Sequence, residues 1–186
     1  LPKAFSIINP NRLDDTSELS NLCAAGVCFM FLVSLNKELR NIDWFKKNNV
    51  KEPNLINFLD LVSLGTVCDV VPLTGINRAI VTQGLKIIDT KKNLGLKTLL
   101  DISGVNTKIT PYHLGYVLGP RINAGGRVGK CSHGANLLLN INSKEVFQIA
   151  KDLDDYNKER KLKEKILYEK VLKKINDFSE PILLLS

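Results

Sequence analysis

The stretch at residues 58–78, FLDLVSLGTVCDVVPLTGINR, decides the fold. It is a long apolar run in which the carboxylate of Asp69 follows Cys68 and precedes Val70. Such neighbours carry a side chain towards the interior, where an ionised carboxylate is costly unless donors, a cation or a metal compensate it. Three roles are therefore open for Asp69: a cap for the turn leading to Pro72, an ion pair with a basic side chain, or a ligand for a hard divalent cation.

The composition is that of a globular chain with an excess of basic residues. Of its 186 residues, 44% are hydrophobic and 24% are charged, which is enough to bury the core of one domain or one and a half. The formal net charge is +7. A basic balance of this size suits a polyanionic partner.

Two further features limit the class of protein. The apolar run at residues 22–35, LCAAGVCFMFLVSL, is too short to span a bilayer and indicates a buried helix. The four cysteines form no C-x-x-C pair, so neither a zinc knuckle nor a disulfide framework is indicated. We expect a protein of the reducing cytoplasm without a membrane partner.

The remaining pattern predicts a mostly helical chain with a short strand near each end. Residues 4–9, AFSIIN, are compatible with a buried strand, and the terminal PILLLS resembles a strand cut in mid-course, so we expect a piece of a longer protein. Gly65 is expected to end the second helix, and residues 41–51 form a polar connection. Helices are predicted at residues 17–39, 53–64, 77–88, 96–102, 110–118 and 143–178.

A second informative stretch, GPRINAGGRVGKCS at residues 119–132, combines four glycines with three basic residues. Glycines let a backbone approach an oxyanion, the guanidinium forks of Arg121 and Arg127 match phosphate oxygens, and Asn123 adds a neutral donor. The stretch matches neither the Walker pattern nor GxGxxG. It therefore predicts either a phosphate-binding segment or a solvated basic loop.

The predicted helix at residues 143–178 contains no glycine or proline. Its apolar spacing lapses at residues 157–165, NKERKLKEK, and then resumes. A helix that is apolar at both ends and polar in the middle is typical of a strut joining two bodies, and it would be roughly 50 Å long. A coiled coil is the competing interpretation, but the heptad pattern is not sustained.

Together, LDLVSLGTVCDVVPLTGINR and GPRINAGGRVG resemble the RecJ family, the single-strand-specific 5′-to-3′ exonucleases of the DHH phosphoesterase superfamily. The resemblance runs from INPNR at residues 8–12 through the long helix and implies a role in DNA repair and recombination. It implies that Asp69 matches the aspartate of the fourth metal motif. Arg121, Asn123 and Arg127 match the PRINAxGR segment beside the active cleft, where they would bind DNA phosphate.

The implied fold class is α/β and mostly helical, in four parts. Residues 1–75 would be the C-terminal part of a DHH domain, and residues 76–142 a helical region with the PRINAGGR segment. Residues 143–178 would form the connecting helix, and residues 179–186 the first strand of a DHHA1-type domain. The DxDG motif, the DHH triplet, the GGH segment and the OB-fold of the family are absent from this sequence. We therefore expect the chain alone to be inactive.

The mechanism implied for the parent enzyme is phosphodiester hydrolysis by two Mn²⁺ or Mg²⁺ ions, with single-stranded DNA as substrate. Asp69 would be the catalytic metal ligand that this chain contributes. Two other classes stay open: another DHH phosphodiesterase acting on short oligonucleotides, and a non-catalytic nucleic-acid-binding or scaffold module. Metal-dependent release of mononucleotides by the full-length protein separates the enzymes from the scaffold.

Overall fold

The structure is a computed structural model that describes residues 3–174. Across these residues the backbone forms helices and no strand, so the mostly helical part of the predicted fold class is confirmed and its α/β part is not. The helices are α1 (Ala24–Asn41), α2 (Trp44–Lys47), α3 (Leu59–Cys68, after a 3₁₀ turn at Leu55–Phe58), α4 (Gly75–Asp89), α5 (Leu94–Ile102), a π turn (His113–Leu118), α6 (Gly119–Val128), α7 (His133–Leu139) and α8 (Ser143–Lys174).

The described residues divide into two compact units. Unit 1 comprises residues 3–93 and 106–119, and unit 2 comprises residues 94–105 and 120–174. In the part of the chain that the structure describes, no helix is both long enough and apolar enough to cross a membrane.

Unit 1 is built around α3, which packs against α1 and α4. Gly65 lies inside α3 and does not end it, which corrects the predicted boundary. A Cβ at Gly65 would lie 2.9 Å from the Cβ of Ala25 on α1, so the missing side chain permits this helix contact. The core of unit 1 consists of Leu22, Leu59, Val62 and Ile80, with Val27, Met30, Ile76 and Ile87 packed against it.

The beginning of unit 1 differs from the prediction in two respects. Residues 4–9 form no strand, and Phe5 is fully exposed, because no partner strand exists among residues 3–174 to accept the backbone hydrogen bonds. The first helix begins at Ala24 instead of residue 17. Cys23 is its N-cap, with the sulfur accepting a hydrogen bond from the Gly26 amide at 3.4 Å, and Glu18 has a left-handed backbone (φ 60°) that no helix can include.

Unit 2 packs α5 and α7 against the first half of α8. Its core side chains are all buried: Leu96, Leu99, Leu100, Leu137, Val146, Ala150 and Leu153. Beyond Asn157 most apolar side chains of α8 are exposed, among them Leu162 and Leu167. The long helix is therefore confirmed as far as Lys174, whereas its predicted end at residue 178 and the strand at residues 179–186 lie outside the described residues.

Gly84 on α4 marks the close approach of α3 and α4. A Cβ at this position would clash with the carbonyl oxygen of Leu59 and with the side chain of Ser63. Although alanine favours helices, we expect Gly84→Ala to lower the free energy of unfolding by about 2 kcal/mol through overpacking. Gly126→Ala is the matched control, because its Cβ meets nothing within 4 Å and should stabilise α6 slightly. Thermal unfolding measures both, and an unchanged midpoint for Gly84→Ala contradicts this packing.

Candidate metal ligand and phosphate-binding helix

Asp69 lies immediately beyond the last residue of α3, as its C-cap. Its backbone amide donates to the carbonyl of Gly65 at 2.9 Å, and its side chain is exposed. The expectation that its apolar neighbours carry Asp69 into the interior is therefore wrong. The reason is local: α3 buries Val62 and Leu64 but ends at Cys68, so the residues that follow point away from the core.

The backbone beside Asp69 is strained. Val70 adopts a left-handed conformation with φ 57°, which is a genuine outlier for a β-branched residue. Such conformations cost of order 1–3 kcal/mol and persist where surrounding structure enforces them, often at functional sites.

Among the residues that it describes, the structure shows neither a side-chain cap nor an ion pair for Asp69. Capping is done by the backbone amide, and the carboxylate makes no hydrogen bond or ion pair with any residue that the structure describes. An exposed, unpaired carboxylate has the oxygen donors that a hard divalent cation prefers. Within residues 3–174, however, no three or more His, Cys, Asp or Glu side chains cluster as a metal site would require. Asp69 thus fits one ligand of a metal site, and the metal role stays a prediction.

The buried carboxylate of this stretch is Asp60, whose burial the sequence did not predict. It lies in the first turn of α3 and accepts a hydrogen bond from the Leu61 amide at 2.7 Å. Burial raises the pKa of Asp60 despite this hydrogen bond. Because the pKa is higher in the folded protein, Asp60 costs stability as the pH rises through that pKa. No signal in the sequence singles out Asp60, because the predicted helix starts at residue 53 and α3 starts at Leu59.

The glycine-rich stretch forms α6 and not a loop. Ala124 and Gly125 are buried, whereas Asn123, Gly126 and Arg127 are exposed. Asn123 and Arg127 are four residues apart, so they share one face of the helix. The side chain of Arg127 pairs with no group in the part of the chain that the structure describes. This face therefore presents a guanidinium and an amide to solvent.

Arg121 lies on the other side of α6 and contacts α8. Its Nε donates to Oδ1 of Asp154 at 2.8 Å, and the side chains of the two residues are only 16% and 8% exposed. Lys158 contacts the second oxygen of Asp154 at 2.7 Å. Burial alone would raise the pKa of Asp154, but the hydrogen bonds and charges of Lys158 and Arg121 outweigh it and hold that pKa below its usual value. The pair ties α6 to α8.

The predicted site residues are thus divided between the two units. Asp69 belongs to unit 1, and Arg121, Asn123 and Arg127 belong to unit 2. Asn123 and Arg127 come together on one helix face, whereas Arg121 has a carboxylate partner. The predicted phosphate contacts of all three stay predictions.

Curated relatives and solved structures resemble this chain, although no protein-family profile matches it. The single-stranded-DNA-specific exonuclease RecJ of Salmonella typhimurium is 44% identical over 163 residues, covering 87% of this chain and 28% of the relative. The chain therefore spans little more than a quarter of the length of this relative.

Two crystal structures share the fold. Exonuclease RecJ bound to manganese superimposes with a TM-score of 0.66 at 28% identity, covering 81% of this chain and 36% of that chain. RecJ in complex with Mg²⁺ from Thermus thermophilus gives a TM-score of 0.62 at 29% identity, covering 72% and 21%. Since sequence and fold agree over most of its length, the chain belongs to the RecJ family and corresponds to part of a RecJ protein.

Proposed function

We propose that this chain is part of a single-stranded-DNA-specific 5′-to-3′ exonuclease that acts in DNA repair and recombination in the cytoplasm. The observation that carries the proposal is the 44% identity, over 87% of the chain, to a relative named for that activity. The net charge of +7 supports it, because a basic protein attracts the DNA polyanion from solution.

The proposed division of the chain follows the family resemblance. Residues 1–75 belong to the DHH domain, residues 76–142 form the helical region with the phosphate-contacting segment, and residues 143–178 connect to a DHHA1-type domain that begins at residues 179–186. The exposed second half of α8 supports the connecting role, because a helix that extends beyond the core of its own unit can connect to another domain.

Asp69 is the proposed ligand for one of two Mn²⁺ or Mg²⁺ ions. Such ions activate a water and neutralise charge on the attacked phosphate. The exposed, unpaired carboxylate and the strained Val70 support this role. The other ligands lie outside residues 3–174, because the described residues contain no suitable cluster. Residues 1–186 alone are therefore expected to release no nucleotides.

Arg127 and Asn123 are the proposed direct contacts to phosphate. Both lie on the solvent face of α6, and a guanidinium fork with a neighbouring amide can donate to several phosphate oxygens. Arg121 is proposed to contribute from the same helix. Its ion pair with Asp154 fixes the orientation of α6 on α8, and thereby the direction of the donors on the solvent face.

The experiment that tests the proposed function is nucleotide release by the full-length protein. We expect Mn²⁺-dependent release of mononucleotides from 5′-phosphorylated single-stranded DNA and little from duplex DNA of the same sequence. Equal degradation of both, or release from oligonucleotides of a few residues only, favours another DHH phosphodiesterase. Binding without release favours the non-catalytic module.

Arg127→Ala is expected to weaken binding of single-stranded DNA and to reduce its salt dependence. Each phosphate contact contributes about 0.7 to the slope of log K against log salt concentration for single strands. Binding isotherms at several salt concentrations, in metal-free buffer that stops cleavage, give the slope. Lys161→Ala, which removes an exposed cation of α8, is the matched control. A slope that is the same for Arg127→Ala and the wild type contradicts the phosphate contact.

A further inference from the structure

Unit 1 exposes two tyrosine rings that lie against each other. Tyr112 and Tyr116 are 62% and 71% exposed, and their ring centroids are 5.1 Å apart at an interplanar angle of 24°. Large aromatic side chains contribute most to stability when they are buried. A stacked pair that leaves its outer faces open to solvent therefore offers surface for a planar ligand.

The backbone holds this pair in place. Tyr112 comes directly before the π turn at His113–Leu118, and Leu114 and Leu118 of that turn are completely buried. His113 accepts a hydrogen bond from the Thr110 amide at 3.1 Å and packs its ring edge-on against Tyr112 at 5.7 Å. Single π turns are frequent at functional sites. The rings are thus displayed on an anchored segment.

The sequence around the pair carries positive charge only. In residues 106–119, the segment of unit 1 that carries the pair, there is no acidic residue, and Lys108 lies four residues before Tyr112. Aromatic side chains within basic sequence are what sequence-tolerant binders of single strands use: cations track the phosphates while bases stack on the rings.

We propose that Tyr112 and Tyr116 form a stacking platform for an unpaired base of single-stranded nucleic acid. The proposal rests on the proposed function for the identity of the polymer. A base stacks on an outer face of the pair. It does not lie between the rings, because it would need about 3.4 Å on each side, and the two ring centroids are only 5.1 Å apart. Every base has a π face, so the platform reads no sequence.

The test measures binding of two fluorescent oligonucleotides to the full-length protein in metal-free buffer: an oligothymidylate, and the same backbone with abasic residues. The double substitution Tyr112→Leu with Tyr116→Leu keeps apolar bulk and removes both rings. Tyr168→Leu is the matched control, since Tyr168 is also 62% exposed and has no ring partner within residues 3–174. The corresponding Phe variants keep the rings.

We expect the double Leu variant to bind oligothymidylate roughly 5- to 150-fold more weakly and the abasic strand as well as the wild type does. The Phe and Tyr168→Leu variants should bind both strands normally. If the double Leu variant binds oligothymidylate as tightly as the wild type does, the platform is overturned and the proposed function stands. The same holds if the double Leu variant loses as much affinity for the abasic strand as for oligothymidylate. Failure of the wild type to bind either strand overturns both.

Discussion

Replacing Asp69 by alanine in the full-length protein is expected to abolish nucleotide release from single-stranded DNA while leaving the melting temperature unchanged. A bound divalent ion supplies several kcal/mol of charge stabilisation in the transition state. Since each 1.36 kcal/mol is a factor of ten in rate, the expected loss is about 10³-fold or more. The fold should not respond, because the Asp69 side chain is exposed and contacts no partner in the described part of the chain.

Asp89→Ala is the matched control for this substitution. Asp89 is an exposed carboxylate at the end of α4, the next helix of unit 1. Its removal changes the net charge equally and should leave nucleotide release intact. Retained turnover in Asp69→Ala contradicts the metal assignment. A lower melting temperature with normal turnover would show that Asp69 has a structural role instead.

Arg121→Ala is expected to lower the free energy of unfolding by about 3 kcal/mol. Removing one partner of a buried ion pair leaves the other charge uncompensated, and such substitutions typically cost about 3–5 kcal/mol. Lys158 keeps one contact to Asp154, which places the expected value at the lower end of that range. Glu159→Ala is the control. Glu159 forms an exposed ion pair with Lys163, both on α8, and this pair should contribute about 0.5 kcal/mol or less to the free energy of unfolding.

The Asp154 pair also predicts a dependence on pH. The pKa of Asp154 is lower in the folded protein than in the unfolded chain, so its stabilisation is complete above the unfolded value of about 3.9 and is lost as the pH falls through the folded value. Asp154→Asn should remove that part of the acid sensitivity. Chemical denaturation of both proteins between neutral and acidic pH measures the difference. Parallel curves for the two proteins would contradict the role of this carboxylate.

Arg121→Ala and Asp154→Asn together separate two roles of Arg121: orienting α6 through Asp154, and contacting phosphate directly. If Arg121 acts only through Asp154, Arg121→Ala and Asp154→Asn should impair DNA binding to a similar degree. A direct phosphate contact adds a loss of salt slope to Arg121→Ala alone.

The regular helices could be predicted from the sequence because their apolar spacing is regular. The structure has α4 at Gly75–Asp89 and α5 at Leu94–Ile102, within two residues of the predicted bounds. Helix starts fixed by unusual caps could not be predicted, since a cysteine is a rare N-cap and Cys23 takes that position before α1.

Local sequence could not decide which of the two aspartates is buried. Both Asp60 and Asp69 have apolar neighbours, but Asp60 lies within the first turn of α3 and Asp69 beyond its end. The predicted and the observed end of α3 both place Asp60 inside the helix and Asp69 beyond it, so the burial of Asp60 follows from the packing of α3 against α1 and α4. The predicted end, Gly65, is instead a contact between α3 and α1.

The helical conformation of the glycine-rich stretch could not be predicted for a related reason. Each glycine in a helix interior costs about 1 kcal/mol relative to alanine, which favours a loop when only the local sequence is considered. In unit 2, Gly125 packs where a Cβ would lie 2.8 Å from the Lys130 carbonyl and 3.2 Å from Leu153. Tertiary contacts that only glycine permits thus offset its low helix propensity.

The most direct test of the central claim, that Asp69 is a metal ligand of a RecJ exonuclease, is a manganese titration of the full-length protein followed by electron paramagnetic resonance. The account predicts that Asp69→Ala loses one bound ion or binds it at least about 10-fold more weakly, whereas Asp89→Ala titrates like the wild type. Identical stoichiometry and affinity in Asp69→Ala and the wild type would contradict the account.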